Sequence, residues 1–133
     1  MSHPILFDED DPILAKLREL ALAFPEAQER VSHGRPLWFT TNQFAIYGGH
    51  VKGTHGDTSL ARALIFKPDA DHRDLLLRDE RFVVPAYHGP SGWLAIALDT
   101  WAPGWDEVHE LLDESYRMTA PGKLVRELDA RAT

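Results

Sequence analysis

Between Pro25 and Pro68 the apolar pattern of the chain changes its period, and this change limits the available folds more than any other feature. Before it, Ile13, Leu14, Leu17, Leu20, Ala21 and Phe24 recur at three- and four-residue spacing. They follow Asp11-Pro12, an N-cap acid and a proline suited to the first helical position. The spacing predicts a helix ended by Pro25. After it, Arg30 to Ser32, Leu37 to Thr40, Phe44 to Tyr47 and Ala61 to Lys67 are short segments rich in aromatic and β-branched residues. His33-Gly34-Arg35-Pro36, Thr41-Asn42-Gln43 and a glycine-rich stretch from Gly48 to Ser59 separate them. Such segments predict successive antiparallel strands.

The pattern turns helical at Pro68-Asp69 and runs through Leu75, Leu76 and Leu77 to about Asp79. Phe82 to Ala86 and Trp93 to Leu98 read as a further strand pair around His88-Gly89-Pro90-Ser91-Gly92. Ala102-Pro103-Gly104 leads into a long helix with Val108, Leu111, Leu112 and Ser115 inward and an acidic outer face. Pro121-Gly122 breaks it, before a short helix from Lys123 to Arg131. The expected order is therefore α-β-β-β-β-α-β-β-α-α. Strands grouped in runs rather than alternating with helices make this an α+β fold, a mainly antiparallel sheet with helices on one side. A chain of 133 residues is expected to form one domain, 1–133, with 1–10 as a flexible acidic tail.

Charge narrows the partners. The formal net charge is −7, against the globally basic surface of a simple phosphate-binding domain. It is unevenly spread: Gln28 to Lys67 holds five cations and two acids, whereas Asp99 to Glu114 holds six acids and no cation. The five cations Arg30, Arg35, Lys52, Arg62 and Lys67, with His33 and His55 near them, are candidate phosphate contacts. There is no cysteine, hence no disulfide and no zinc-thiolate site. The longest apolar run, Trp93 to Leu98, is far short of the ~20 residues that span a bilayer. No membrane partner is expected, no signal peptide is legible at the amino end, and a cytoplasmic location is the default.

The motifs that resemble catalytic or cofactor sites fail on their own chemistry. Gly48 and Gly53 have Walker A spacing, but Thr54-His55 replaces the Lys-Ser/Thr pair, Lys52 precedes the second glycine, and a strand follows instead of a helix. His50, His55 and Asp57 offer metal-ligand atoms without the spacing of any rigid element, so no metal or cofactor is expected. Gly89-Pro90-Ser91-Gly92-Trp93 lacks the last glycine of a nucleophile elbow. Tyr87 and His88 could serve acid-base chemistry, and His33, His88, Trp93 and Tyr116 form a candidate small-molecule pocket between sheet and helix. A sheet edge or face that pairs two copies into a homodimer is a further expectation.

Several segments carry a resemblance. His33-Gly34-Arg35-Pro36 with Phe39, Phe44 in the next strand, Leu64-Ile65-Phe66-Lys67-Pro68, Arg81 to Tyr87, Gly92-Trp93-Leu94 with Leu98-Asp99, Glu110-Leu111, Ser115-Tyr116-Arg117 and Ala120-Pro121 resemble, in order and spacing, the MmcQ/YjbR family. The resemblance covers about residues 12 to 124. It implies a CyaY-like α+β fold and a double-wing DNA-binding motif, in which hairpin loops are the wings. The glycine-rich loop would then be a wing that presents Lys52 and His55. Asn42-Gln43 stands where many relatives have Gly-Lys, which removes one cation. The leading expectation is a non-enzymatic binding module with DNA as its ligand; a small-molecule pocket protein or enzyme and a homodimeric interaction domain are the alternatives.

Overall fold

The structure is a computed structural model and describes residues 5–51, 53 and 57–131. A helix, α1 (Pro12–Leu22), precedes the strands β1 (Gln28–Ser32), β2 (Arg35–Phe39), β3 (Gln43–Tyr47) and β4 (Ala63–Phe66). Then follow α2 (Ala70–Leu76), β5 (Phe82–Val83), β6 (Leu94–Ala97), α3 (Leu98–Trp101), α4 (Trp105–Thr119) and α5 (Gly122–Arg131). The six strands form one sheet in the order β1-β2-β3-β4-β6-β5, and every neighbouring pair is antiparallel. The α+β architecture and the element order agree with the periodicity of the sequence.

Three local departures have identifiable causes. The single-turn α3 stands where a strand was predicted to end: Ala97 is extended, Asp99 lies in the first turn, and Ala102 adopts φ 43° just before Pro103, which cannot continue a helix. β5 stops after two residues because Pro85 has no N–H for a ladder, and the next amide, Ala86, donates to the His50 carbonyl at 2.8 Å. The third is a register shift between β2 and β3, where Phe39 opposes Gln43 and Trp38 opposes Ala45, leaving Phe44 as the extra residue of a bulge. The bulge turns Phe44 toward the helices, where it meets Phe24 and Tyr116 edge-on at 5.8 and 5.2 Å.

Two apolar layers result. Trp38, Phe44, Tyr47, Leu64, Phe66, Leu94 and Ile96 bury one sheet face against Leu14 and Leu17 of α1 and Leu112 and Tyr116 of α4. Ser115 ties α4 to the sheet, donating to the Phe44 carbonyl at 2.5 Å and accepting the Lys67 amide at 2.8 Å. Leu37, Ile46, Ile65, Trp93 and the small Ala63, Ala95 and Ala97 form a second cluster on the other face. Among the described residues no helical side chain belongs to this cluster; residues 48–51 and 84–93 lie beside it, joined to each other by the Ala86 amide to His50 carbonyl bond, and Gly49 donates to the Leu60 carbonyl at 2.9 Å. The amino-terminal segment also reaches this side, where the Leu6 amide donates to the Gly34 carbonyl at 2.9 Å. Among the described residues no helix is long and apolar enough to cross a membrane.

Candidate functional site

Strand alternation sorts charge between the two sheet faces. Among the described residues Glu29 is the sole acid in any strand, and it faces the helices, accepting from Trp38 Nε1 at 2.8 Å and from both forks of Arg18 at 2.8 and 3.0 Å. Cα register puts Arg30 opposite Leu37, Ser32 opposite Arg35, and Ile46 opposite Ile65, so Arg30 and Arg35 project from the helix-free face. Lys67 continues the parity of Ala63 and Ile65 beyond β4. Arg30 lies over the Phe39 ring at 4.7 Å. With Lys67, Gln43 and Trp93 it edges an open hollow of about 440 Å³ at the margin of the face, where Met118 and Thr119 at the end of α4 also line it.

Of the other predicted cations, Arg62 goes elsewhere. It turns from the face and grips the Asp11 carboxylate at 2.6 and 2.7 Å, where the Tyr47 hydroxyl also donates at 2.8 Å. That hydrogen-bonded pair holds Asp11 well below the usual carboxylate range, at about 2, and raises the pKa of Arg62. Arg62 is therefore a structural ion-pair partner instead of a free phosphate contact. Lys52 and His55 lie outside the described residues.

Arg35 occupies a cavity of about 610 Å³ at the other end of the face. The hairpin between β1 and β2 turns through His33 and Gly34, both at positive φ (53° and 80°), the arrangement of a two-residue turn that matches strand twist. Arg35 follows at once. Its floor is Leu37, Ile46 and Ile65; Gly48, Gly49 and His50 form one wall, Ala86, Tyr87 and His88 another, and Leu6 and His33 complete the rim. The close wall at Gly48 requires glycine: φ is +90°, and a Cβ there would collide with Arg35 Nη1 and with the Ala61 carbonyl.

The electrostatics of the cavity are set by burial. Arg35 Nη1 is removed from solvent and has no hydrogen-bond partner among the described residues, and burial lowers the pKa of the guanidinium. The His88 imidazole is also pushed down, first by burial and then by the nearby His33, so it favours the neutral form. Its ring lies 6.0 Å from Trp93. Tyr87 is 76% exposed at φ 68°, with its ring edge-on to His50 at 5.6 Å. One guanidinium fork at the end of an apolar floor, flanked by imidazoles, is a set of groups suited to holding an anion.

The four residues predicted to share a pocket do not all meet. His33 and His88 reach this cavity, and Trp93 packs behind His88 in the buried layer. Tyr116 is on the opposite side of the sheet, stacked on Phe24 at 4.9 Å with its hydroxyl donating to the Pro25 carbonyl at 2.7 Å. It is a core residue because its ring and hydroxyl are both satisfied there. Asp57 accepts from the Ser59 amide at 2.8 Å, closing a local turn, while His50 lines the cavity. Arg35, placed by sequence among the phosphate contacts, proves to be the central charge of the cavity. The parity that puts positions 35 and 37 on the same face of β2 was the available signal.

A family model described as YjbR matches residues 22–118, the span that contains the strands, the cavity lining other than Leu6, and most of α4. No curated protein and no solved structure matches the chain.

Proposed function

The chain belongs to the YjbR family, and we propose that it is a non-enzymatic binding module whose ligand is nucleic acid, met by the helix-free face of the sheet. The observation that supports this reading is the sorting of charge: Arg30, Arg35 and Lys67 stand on that face, and no strand among the described residues places an acid there. Arg30 and Lys67 are the phosphate contacts, because they flank an open hollow, whereas Arg35 is sunk beneath the rim. The acids of α4 belong to the helix layer, so the net charge of −7 leaves this face locally positive. Phe39, partly exposed beneath Arg30, is the apolar margin against which an unstacked base can rest.

With so few cations and a repulsive remainder, binding is weak and needs low salt. The test is a titration of labelled duplex and single-stranded DNA into the protein at low and at moderate salt. Binding at low salt that falls steeply as salt rises supports the reading, since each phosphate neutralised adds about 0.9 to the log-log slope on duplex and about 0.7 on single strands. Absence of binding at low salt removes it, and binding indifferent to salt assigns the face to another ligand.

A further inference from the structure

We propose that the cavity over Arg35 is a binding site for a small monocarboxylate with an apolar body, its carboxylate on the guanidinium and its body on Leu37, Ile46 and Ile65. Four observations carry this. A guanidinium nitrogen is buried there with no hydrogen-bond partner among the described residues, whereas the buried carboxylate of Asp11 is paired with Arg62. A cation held without an acidic partner is unfavourable, and an anion on the open side of the fork would supply the missing charge.

One wall also carries strained backbone. Tyr87, one of four non-glycine residues at positive φ among those described, stands on this rim, and Gly48 at +90° gives the guanidinium its space. Residues held in such conformations concentrate where a site needs a particular shape. The cavity volume, about 610 Å³, suits a ligand of modest size, and its floor is apolar.

Charge then selects the ligand. Among the described residues Arg35 is the only Lys or Arg in the wall, no Asp or Glu lines it, and His88 is driven toward neutrality by burial. One fixed positive charge balances one negative charge, and the planar fork of arginine matches the two oxygens of a carboxylate. A phosphate dianion would call for further donors. The site is distinct from the nucleic-acid hollow: Gln43 borders both, but Arg30 and Lys67 are not in its walls.

Benzoate is a direct probe, with benzyl alcohol and phenyl phosphate as comparison arms, titrated into the full chain and followed by amide NMR. Benzoate is expected to shift the amides of Leu37, Ile46, Gly48 and Tyr87 saturably and the Arg35 side-chain Nε–H with the same midpoint. Arg35→Gln should weaken binding about tenfold to a hundredfold, the range for loss of a charged hydrogen bond. Benzyl alcohol should bind at least about tenfold more weakly for the same reason. The Nε–H readout in the unsubstituted protein decides the matter even if Arg35→Gln does not fold. No saturable shift, an Arg35 resonance that stays still, unchanged affinity in a folded Arg35→Gln variant, or equal binding of benzyl alcohol would each overturn the proposal. Tighter binding of phenyl phosphate would overturn the carboxylate assignment.

Discussion

The guanidinium of Arg62 holds both oxygens of the Asp11 carboxylate, Nε to Oδ2 at 2.6 Å and Nη2 to Oδ1 at 2.7 Å. Asp11 is simultaneously the N-cap of α1, accepting from Ile13 at 2.9 Å, and the acceptor of the Tyr47 hydroxyl. The arginine hydrogen bonds, with those of Tyr47 and Ile13, outweigh burial and bring its pKa from 3.8 to about 2. A carboxyl whose folded pKa is depressed contributes stability above its unfolded pKa and loses that contribution as pH falls through the folded value. Asp11→Asn, which retains a capping side chain, should therefore lower stability at neutral pH by roughly 1–2 kcal/mol, discounted for the partial exposure of Arg62. The deficit should shrink between the two pKa values, 3.8 and about 2. Urea unfolding of both proteins across that range checks it; a deficit unchanged at the acid end would assign the effect to packing.

That pair also marks what could be read from the sequence. Asp11-Pro12 announces a helix start through local chemistry, and strand parity pairs Arg35 with Leu37 and Ala63 with Ile65 on one face of their strands, while the register that joins these strands is known only from the fold. Local rules do not reveal that Arg62 is consumed by an acid 51 positions away. Nor do they reveal the bulge at Phe44, since simple alternation would separate Phe44 from Ala45, and contacts with Phe24 and Tyr116 favour turning both to the helices. The Arg35 cavity was legible only in part, because its walls come from the hairpin at His33, the chain after β3 and the segment at Tyr87. What joins the last two is a backbone bond from Ala86 to His50, which no side-chain pattern encodes.

Ser115 is fully buried and bridges three elements, giving its proton to Phe44 of β3 and taking one from Lys67 at the end of β4. Ser115→Ala leaves a carbonyl and an N–H without that partner. The expected loss is about 2–4 kcal/mol, one desolvated group at each end of the bridge. Chemical denaturation measures it directly. A loss within about 0.5 kcal/mol, the range of an ordinary surface change, would mean that neither backbone group depends on the hydroxyl.

Gly48 and Gly53 share a left-handed backbone, at φ +90° and +83°, but differ in their surroundings. A Cβ at Gly53 meets nothing within 4 Å among the described residues, whereas one at Gly48 runs into Arg35 Nη1 and lies 2.7 Å from the Ala61 carbonyl. Gly53→Ala should cost only the conformational penalty, about 1–2 kcal/mol. Gly48→Ala should cost a further 1–3 kcal/mol, roughly, because a backbone carbonyl cannot yield as a side chain can. Comparing the two thermal midpoints separates collision from backbone strain. Equal losses would show that the Gly48 wall relaxes, and the tight seat described for Arg35 would then be unnecessary.

Arg30 and Lys67 flank the open hollow between the sheet and the end of α4, and their contribution to DNA binding has a numerical signature. If each neutralises one duplex phosphate, each adds about 0.9 to the slope of log affinity against log salt. Arg30→Gln with Lys67→Gln should therefore flatten the slope by about 1.8 and weaken binding at low salt by a similar factor on any sequence, since phosphate contacts carry no base information. Arg62→Gln is the informative contrast: its guanidinium is committed to Asp11, so it should lower stability while the slope of the folded fraction stays near that of the unsubstituted chain. Slopes measured on duplex DNA for the three proteins decide between a surface that binds through its sorted cations and one in which total charge alone matters. In the second case removing any arginine, Arg62 included, would flatten the slope alike.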